Sequence, residues 1–299
     1  MSQDAASKDL PGHIAALLQR ASRDAQGRPA DSAGIPWADR DLSAEGNPLH
    51  TFDGDDGLAT PAVRSARERL LAGELDEAGF VNALVGQRLF VPVLAELAEE
   101  AEPVPASRTG DENVPVGDKQ ADITLISLTS RDGRATMPVF TSVQALTAWH
   151  DKARPVAAET ERIMLATLAE GAELAVLDPG AELTFVLRRP AVEALAQGAR
   201  WLPSYQDPEL AEALTGVLDL CPGVTQLQLQ PGDGVGTRTA TGDPVTGGGS
   251  GPELSIGVVL APGADEVDAR LALASVQAAL EDVQMLRERA DSVQLKLVR

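Results

Sequence analysis

The chain has 299 residues, room for two domains of ordinary size. It is 43% apolar but only 3% aromatic, so its cores must be built from Ala, Val, Leu and Ile. The net charge is −20 and the longest basic run is the pair Arg188-Arg189, which excludes the basic footprint that nucleic-acid binding requires and disfavours an anionic membrane surface.

No stretch approaches the ~18 continuous apolar residues of a membrane span. The opening MSQDAASKDL lacks the apolar core of a secretory signal. A single cysteine, Cys221, permits no intramolecular disulfide and fits a reducing compartment. The expected location is cytoplasmic.

Residues 1–59 are poor in apolar side chains and read as a partly disordered arm. Ile14, Leu17 and Leu18 are spaced to line one face of a short helix in it, and Ile35-Pro36-Trp37 reads as a small apolar anchor. Thr60-Pro61 is a helix start, a capping hydroxyl before a proline at the first helical position. That helix runs to about Ala72, and a second covers about 76–85. Leu89 to Leu94 reads as a buried strand, and 96–120 as an acidic, proline-containing linker. Ile123 to Leu128 is a strand. Ser130-Arg131-Asp132-Gly133 is a hairpin turn that leads into a returning strand with Met137, Val139 and Phe140. Pro138 cannot donate a ladder hydrogen bond, which predicts an edge strand there. Helices are expected near 142–149 and 158–170, strands at 173–177 and 183–187, and a short helix from Pro190 to about Gly198.

Residues 199–208 contain Pro203 and Pro208 and read as a hinge. Beyond it the order is α-β-β-α-β. A helix covers 209–220 and a strand 224–229. The glycine-rich stretch 231–252 reads as a flexible connection. A strand then spans 254–260, a helix carries the stripe Ala269, Leu273, Val276, Leu280 and Val283, and 293–297 is the final strand. The predicted class is α+β, with mixed or antiparallel sheets covered by helices in two small modules, 60–198 and 209–299.

The motifs that tempt a catalytic reading fail at named positions. The glycine stretch from Gly232 lacks the Gly-Lys-Ser/Thr ending of a phosphate loop and leads into a strand rather than a helix. Asp53-Gly-Asp55-Asp56-Gly57 resembles the start of a calcium loop, but its fifth position is Gly57 and its twelfth is Arg64. His13, His50 and His150 share no metal-binding spacing. Cys221 lies at a helix end, away from the N-terminal position that activates a thiol, and would need His150 from the other module as its base. No Gly-x-Ser-x-Gly occurs. No cofactor and no metal site is expected. The remaining signal is an interaction signal: Pro138, Val139 and Phe140 on a predicted edge strand, with Trp149 one short helix later. They are candidate partner-binding residues, and ordinary core packing is the competing reading.

Pro138-Val-Phe-Thr-Ser, Trp149, Arg154-Pro155-Val156, Glu170-Gly171, Asp178-Pro179-Gly180 and Phe185-Val-Leu187 occur in that order. The series resembles the N-terminal domain of the enhanced serine sensitivity protein B (SseB) family. Pro36-Trp37-Ala38 and Asp55-Asp56-Gly57 are similar to features of its actinobacterial members, and the last hundred residues look similar to the family's C-terminal domain. The resemblance covers about residues 35–299. It implies no catalytic residues to carry over. The functional expectation is a non-catalytic interaction or regulatory protein with a protein partner. A small-ligand sensor for an amino acid or related metabolite is the alternative, and an enzyme of unfamiliar type ranks third.

Overall fold

The computed structural model describes residues 52, 55–96, 122–126, 128–130 and 132–298. The arm expected over 1–59, apart from 52 and 55–59, lies outside the described residues, as does the linker after Glu96. Among the described residues no helix is long and apolar enough to cross a membrane.

The first module begins with helix α1 (Pro61–Leu71), capped by the Thr60 hydroxyl, which accepts from the Val63 N–H. Helix α2 (Glu77–Asn82) is capped by Asp76. Strand β1 (Arg88–Glu96) lies between β2 (Asp122–Leu125) and β5 (Arg154–Glu159), antiparallel to both. A second sheet has the order β3 (Leu128–Thr129), β4 (Ala135–Val139), β6 (Leu174–Leu177), β7 (Phe185–Leu187), with β4 and β6 parallel. The two sheets are joined by a reciprocal pair of backbone hydrogen bonds between Phe90 and Phe140, each 2.8 Å. Helices α3 (Val143–Trp149), α4 (Thr160–Ala169) and α5 (Arg189–Ala196) complete the module. This is an α+β fold.

β1 reads as an unbroken apolar run because both of its faces are covered. Leu89 and Val91 enter the main core with α1, α2, α4 and α5, while Phe90 enters a smaller cluster with Phe140, Leu146 and Ala153. Strand β5 replaces the start of the helix expected from 158. Its Pro155 and adjacent alanines hide the period-two pattern, and six residue pairs with β1 decide its conformation.

The second module has helix α6 (Pro208–Leu218), then β8 (Val224–Pro231), β9 (Gly236–Arg238), β10 (Pro244–Gly248), β11 (Leu254–Leu260), helices α7 (Glu266–Leu280) and α8 (Gln284–Arg289), and β12 (Val293–Val298). Its sheet has the order β12-β11-β8, with β11 parallel to β12 and antiparallel to β8. The predicted stripe on α7 is recognisable: Val276 and Leu280 are buried, with Ala272, and Leu273 and Val283 are partly buried.

The glycine-rich stretch is not a flexible connection. β9 and β10 form a hairpin, and its Val245 is part of the first module's core. Arg188, from the start of α5, is 1% exposed and anchors the base of the hairpin. Its guanidinium donates to the carbonyls of Gly251 (2.7 Å), Gly249 (2.7 Å) and Gly234 (2.8 Å). The glycines are needed for the close approach of backbone to backbone. A Cβ on Gly234 would stand 2.1 Å from the Gly251 Cα. The centre of the cradle, where a phosphate loop would hold an anion, is filled by the protein's own cation.

Replacing Arg188 with Met leaves those three carbonyls without their donor. We expect a loss of about 3–5 kcal/mol, because one partner of a buried charged network is removed. Urea unfolding measures it, and native-state hydrogen exchange should rise first in β9 and β10. A variant within about 0.5 kcal/mol of the parent chain, the range of an ordinary surface substitution, would refute the anchoring role.

Candidate functional site

Pro138, Val139 and Phe140 are buried, and Trp149 is half-buried with its ring 5.3 Å from that of Phe140. They are core residues. Strand β4 is interior to its sheet, contrary to the edge expected from Pro138. The reason is one of parity. The carbonyls of Ala135 and Val139 face β6, accepting from Glu173 and Asp178, whereas Phe140 directs its backbone towards β1. Pro138 shares the parity of Phe140, so its missing N–H falls on the side away from β6 and costs the β4–β6 ladder nothing. Pro138, Val139 and Phe140 therefore offer no open surface to a partner, and Trp149 is half-covered by its packing on Phe140.

The other sequence candidates are also structural in their settings. Cys221 is buried in the second core. His150 sits beside Trp149 in the first module, ring centroids 5.8 Å apart. Asp55 pairs with the buried Arg88 at 2.7 Å, and Arg88 also lies over the Phe90 ring. Among the described residues, no group of three or more His, Cys, Asp or Glu side chains is placed to hold a metal ion.

What the structure brings together instead is a polar seam between the modules. The connection read as a hinge is bonded along its length. Asn82 exchanges two hydrogen bonds with the Trp201 backbone, at 2.7 and 3.0 Å. The Ser204 hydroxyl donates to Glu253 Oε1 at 2.7 Å, and the other Glu253 oxygen accepts from the Asp291 N–H. Asp291 in turn receives both contacts of the Arg134 Nη1, at 2.8 and 2.9 Å. Glu77, 2% exposed, accepts from the Gly248 N–H of the hairpin through Oε1 and from the Tyr205 hydroxyl through Oε2. Burial pushes the Glu77 carboxyl above the usual glutamate range, against the lowering effect of the Gly248 bond and of Arg188. Burial, then the neighbouring Glu77 charge, push the Tyr205 phenol up as well. Glu253 and Ser204 are fully buried, so this cluster has no room for a reacting atom.

Next to the seam lies an open groove of about 420 Å3. One wall is α6, with Ala211, Leu214, Thr215 and Leu218. The other is β8, with Gln226, Leu227 and Leu229. The turn Ser204–Gln206 and Asp207 close one end, with the Tyr205 side chain among the lining. β8 is the outermost strand of its sheet, and no described strand pairs with its far side. Asp207 caps α6 and pairs with Arg289 at 2.8 Å, so the end of the groove is held rigidly. Helix α6 carries Glu209, paired with Arg289 at 2.9 Å, and Glu212, and no basic side chain; Asp219 follows it, and β8 carries no charge. Sequence reasoning missed this site. The alternation of Leu227 and Leu229 between glutamines was a readable sign of a two-faced strand, but not of a free edge.

Residues 63–194 match the family model of the SseB protein N-terminal domain. That stretch of the chain is an SseB N-terminal domain. No curated protein and no solved structure matches it. The matched region holds Glu77, Arg134 and Arg188 of the seam, and the groove lies beyond it.

The raised carboxyl of Glu77 has a sign that can be checked. The folded state keeps its proton at pH values where the unfolded glutamate, near 4.5, has lost it. Stability from this group is therefore highest at low pH and falls as pH rises through that window. Glu77→Gln keeps an acceptor for Gly248 and removes the buried charge. Its melting temperature relative to the parent chain should climb as pH rises above about 4.5. A flat difference across that range would contradict the assignment.

Proposed function

We propose that this chain is a non-catalytic interaction protein whose groove between α6 and the free edge of β8 receives an extended segment of a partner protein. The observation that carries the reading is the pairing of an open strand edge with a helix-lined apolar trough. An unpaired edge offers backbone donors and acceptors in a row, and the trough beside it takes every second side chain of an added strand. Leu214, Leu218, Leu227 and Leu229 supply the apolar floor. The charge around it selects the partner. With acidic groups on α6, none on β8 and a net charge of −20, the fitting segment alternates apolar and basic residues. Tyr205 and Asp207 line the groove but are each engaged elsewhere, the phenol with Glu77 and the carboxylate with Arg289, which favours recognition over reaction.

A volume of about 420 Å3 also suits a small molecule, since ligand pockets run from about 300 to 1,000 Å3. That supports an amino acid or related metabolite as the second reading. Stabilisation by free amino acids in a thermal-shift screen, without binding of any peptide, would favour it.

The test uses two synthetic octapeptides, one alternating Val or Leu with Lys and one alternating them with Glu. The lysine peptide should bind the full chain at least ~10-fold more tightly than the glutamate peptide, a difference of ~1.4 kcal/mol. Thr215→Arg, at an exposed position on the helical wall, should lower lysine-peptide affinity at least as much by filling the trough, while leaving the melting temperature near that of the parent chain. Titration calorimetry measures both. Equal binding of the two peptides, or binding unaffected by Thr215→Arg, would overturn the reading.

A further inference from the structure

The turn that closes the groove is the same piece of chain that stitches the two modules. Tyr205 lines the groove, yet its hydroxyl crosses to Glu77 on α2 of the first module at 3.2 Å. Glu77 holds the hairpin through the Gly248 N–H at 3.1 Å. Gly248 is packed so closely that a Cβ there would meet the Phe185 ring at 2.3 Å, and its φ of +72° suits glycine alone. The neighbouring residues of the turn are fixed to the same seam. Ser204 bonds Glu253, and Asp207, which also lines the groove, pairs with Arg289. A three-part chain of contacts thus runs from the groove through Tyr205 and Glu77 to the backbone of β10.

We propose that occupancy of the groove is coupled through Tyr205 and Glu77 to the docking of the β9–β10 hairpin on the first module. The inference rests on the groove reading for the identity of the occupant but not for the coupling itself. A side chain packed in the trough restricts the Tyr205 ring. A fixed ring holds its hydroxyl on Glu77, and a bonded Glu77 oxygen leaves the carboxylate oriented towards Gly248. Each contact removes freedom that the next would otherwise have to lose, so filling the groove tightens the hairpin. By reciprocity, a loosened hairpin weakens whatever occupies the groove by the same factor. The device would make the second module's binding site report on the state of the first module, the part that defines the family.

The test fills the groove without relying on any partner. Thr215→Cys places a thiol at an exposed position on the helical wall, and alkylation with N-phenylmaleimide puts an aromatic ring in the trough. Cys221 is 1% exposed and should stay unmodified, so mass spectrometry should show a single adduct. Hydrogen exchange of the Gly236–Gly248 amides is then measured with and without the adduct, in the parent background and in Tyr205→Phe. The expected result is exchange at least ~5-fold slower in the alkylated parent, the lower end of ordinary allosteric coupling, and no change on alkylation of the Tyr205→Phe chain. Unchanged exchange in the parent would overturn the coupling, and equal slowing in both backgrounds would overturn the role of Tyr205. Circular dichroism of each chain establishes that it is folded. If the lysine peptide of the previous test fails to bind while alkylation slows the hairpin, the coupling stands and the peptide reading falls. If the peptide binds and alkylation does nothing, the reverse holds.

Discussion

Arg188 is a buried cation whose two terminal guanidinium nitrogens the rest of the molecule is arranged to satisfy. Removing a guanidinium from water costs several kcal/mol unless its donors find acceptors. Here the acceptors are three glycine carbonyls at the base of the hairpin, with the Asp291 carboxylate 3.6 Å away. Meeting that demand draws two backbone segments to within a Cβ's width of each other, which excludes every residue but glycine at Gly234 and Gly251. The same demand brings the hairpin onto the first module, where Val245 enters the core. One desolvated charge thus accounts for the close backbone approach at Gly234 and Gly251.

Two carboxylates of the seam are held by neutral or backbone donors, and a third, Asp291, by the Arg134 guanidinium. Glu253 accepts from Ser204 and from the Asp291 N–H, and Glu77 accepts from Gly248 and Tyr205. Such groups fix geometry well because an unmet buried acceptor is expensive. Their placement leaves the outer edge of β8 open while rigidly setting the turn at the end of the groove. An open edge is a hazard for aggregation that proteins restrain with charge or cover. The net charge of the chain opposes pairing of that edge with a second copy by like-charge repulsion.

The family relationship acquires a structural qualification. The SseB N-terminal domain match ends at residue 194, but the core of that module also contains Trp201 and Val245. Val245 arrives from within the second module's sequence, between β8 and β11. In this chain the family domain is completed by residues far downstream, so the two modules are bound by shared packing as well as by polar contacts.

The sequence by itself determined most of the local structure. Thr60-Pro61 started α1, the Asp-Gly turn joined β3 to β4, and the stripe on α7 marked its buried face, because caps, turns and periodicity act over a few residues. The SseB resemblance was likewise legible in short motifs at fixed order. Three things were decided only by the tertiary structure. Pro138 sits in an interior strand because its nitrogen faces away from β6, a matter of pairing that sequence does not display. The glycine stretch became an ordered hairpin because Arg188, some fifty residues upstream, supplies the donors that no local signal announces. The groove exists because β8 was left at the edge of its sheet, and strand order is fixed by long-range pairing rather than by the residues of the strand.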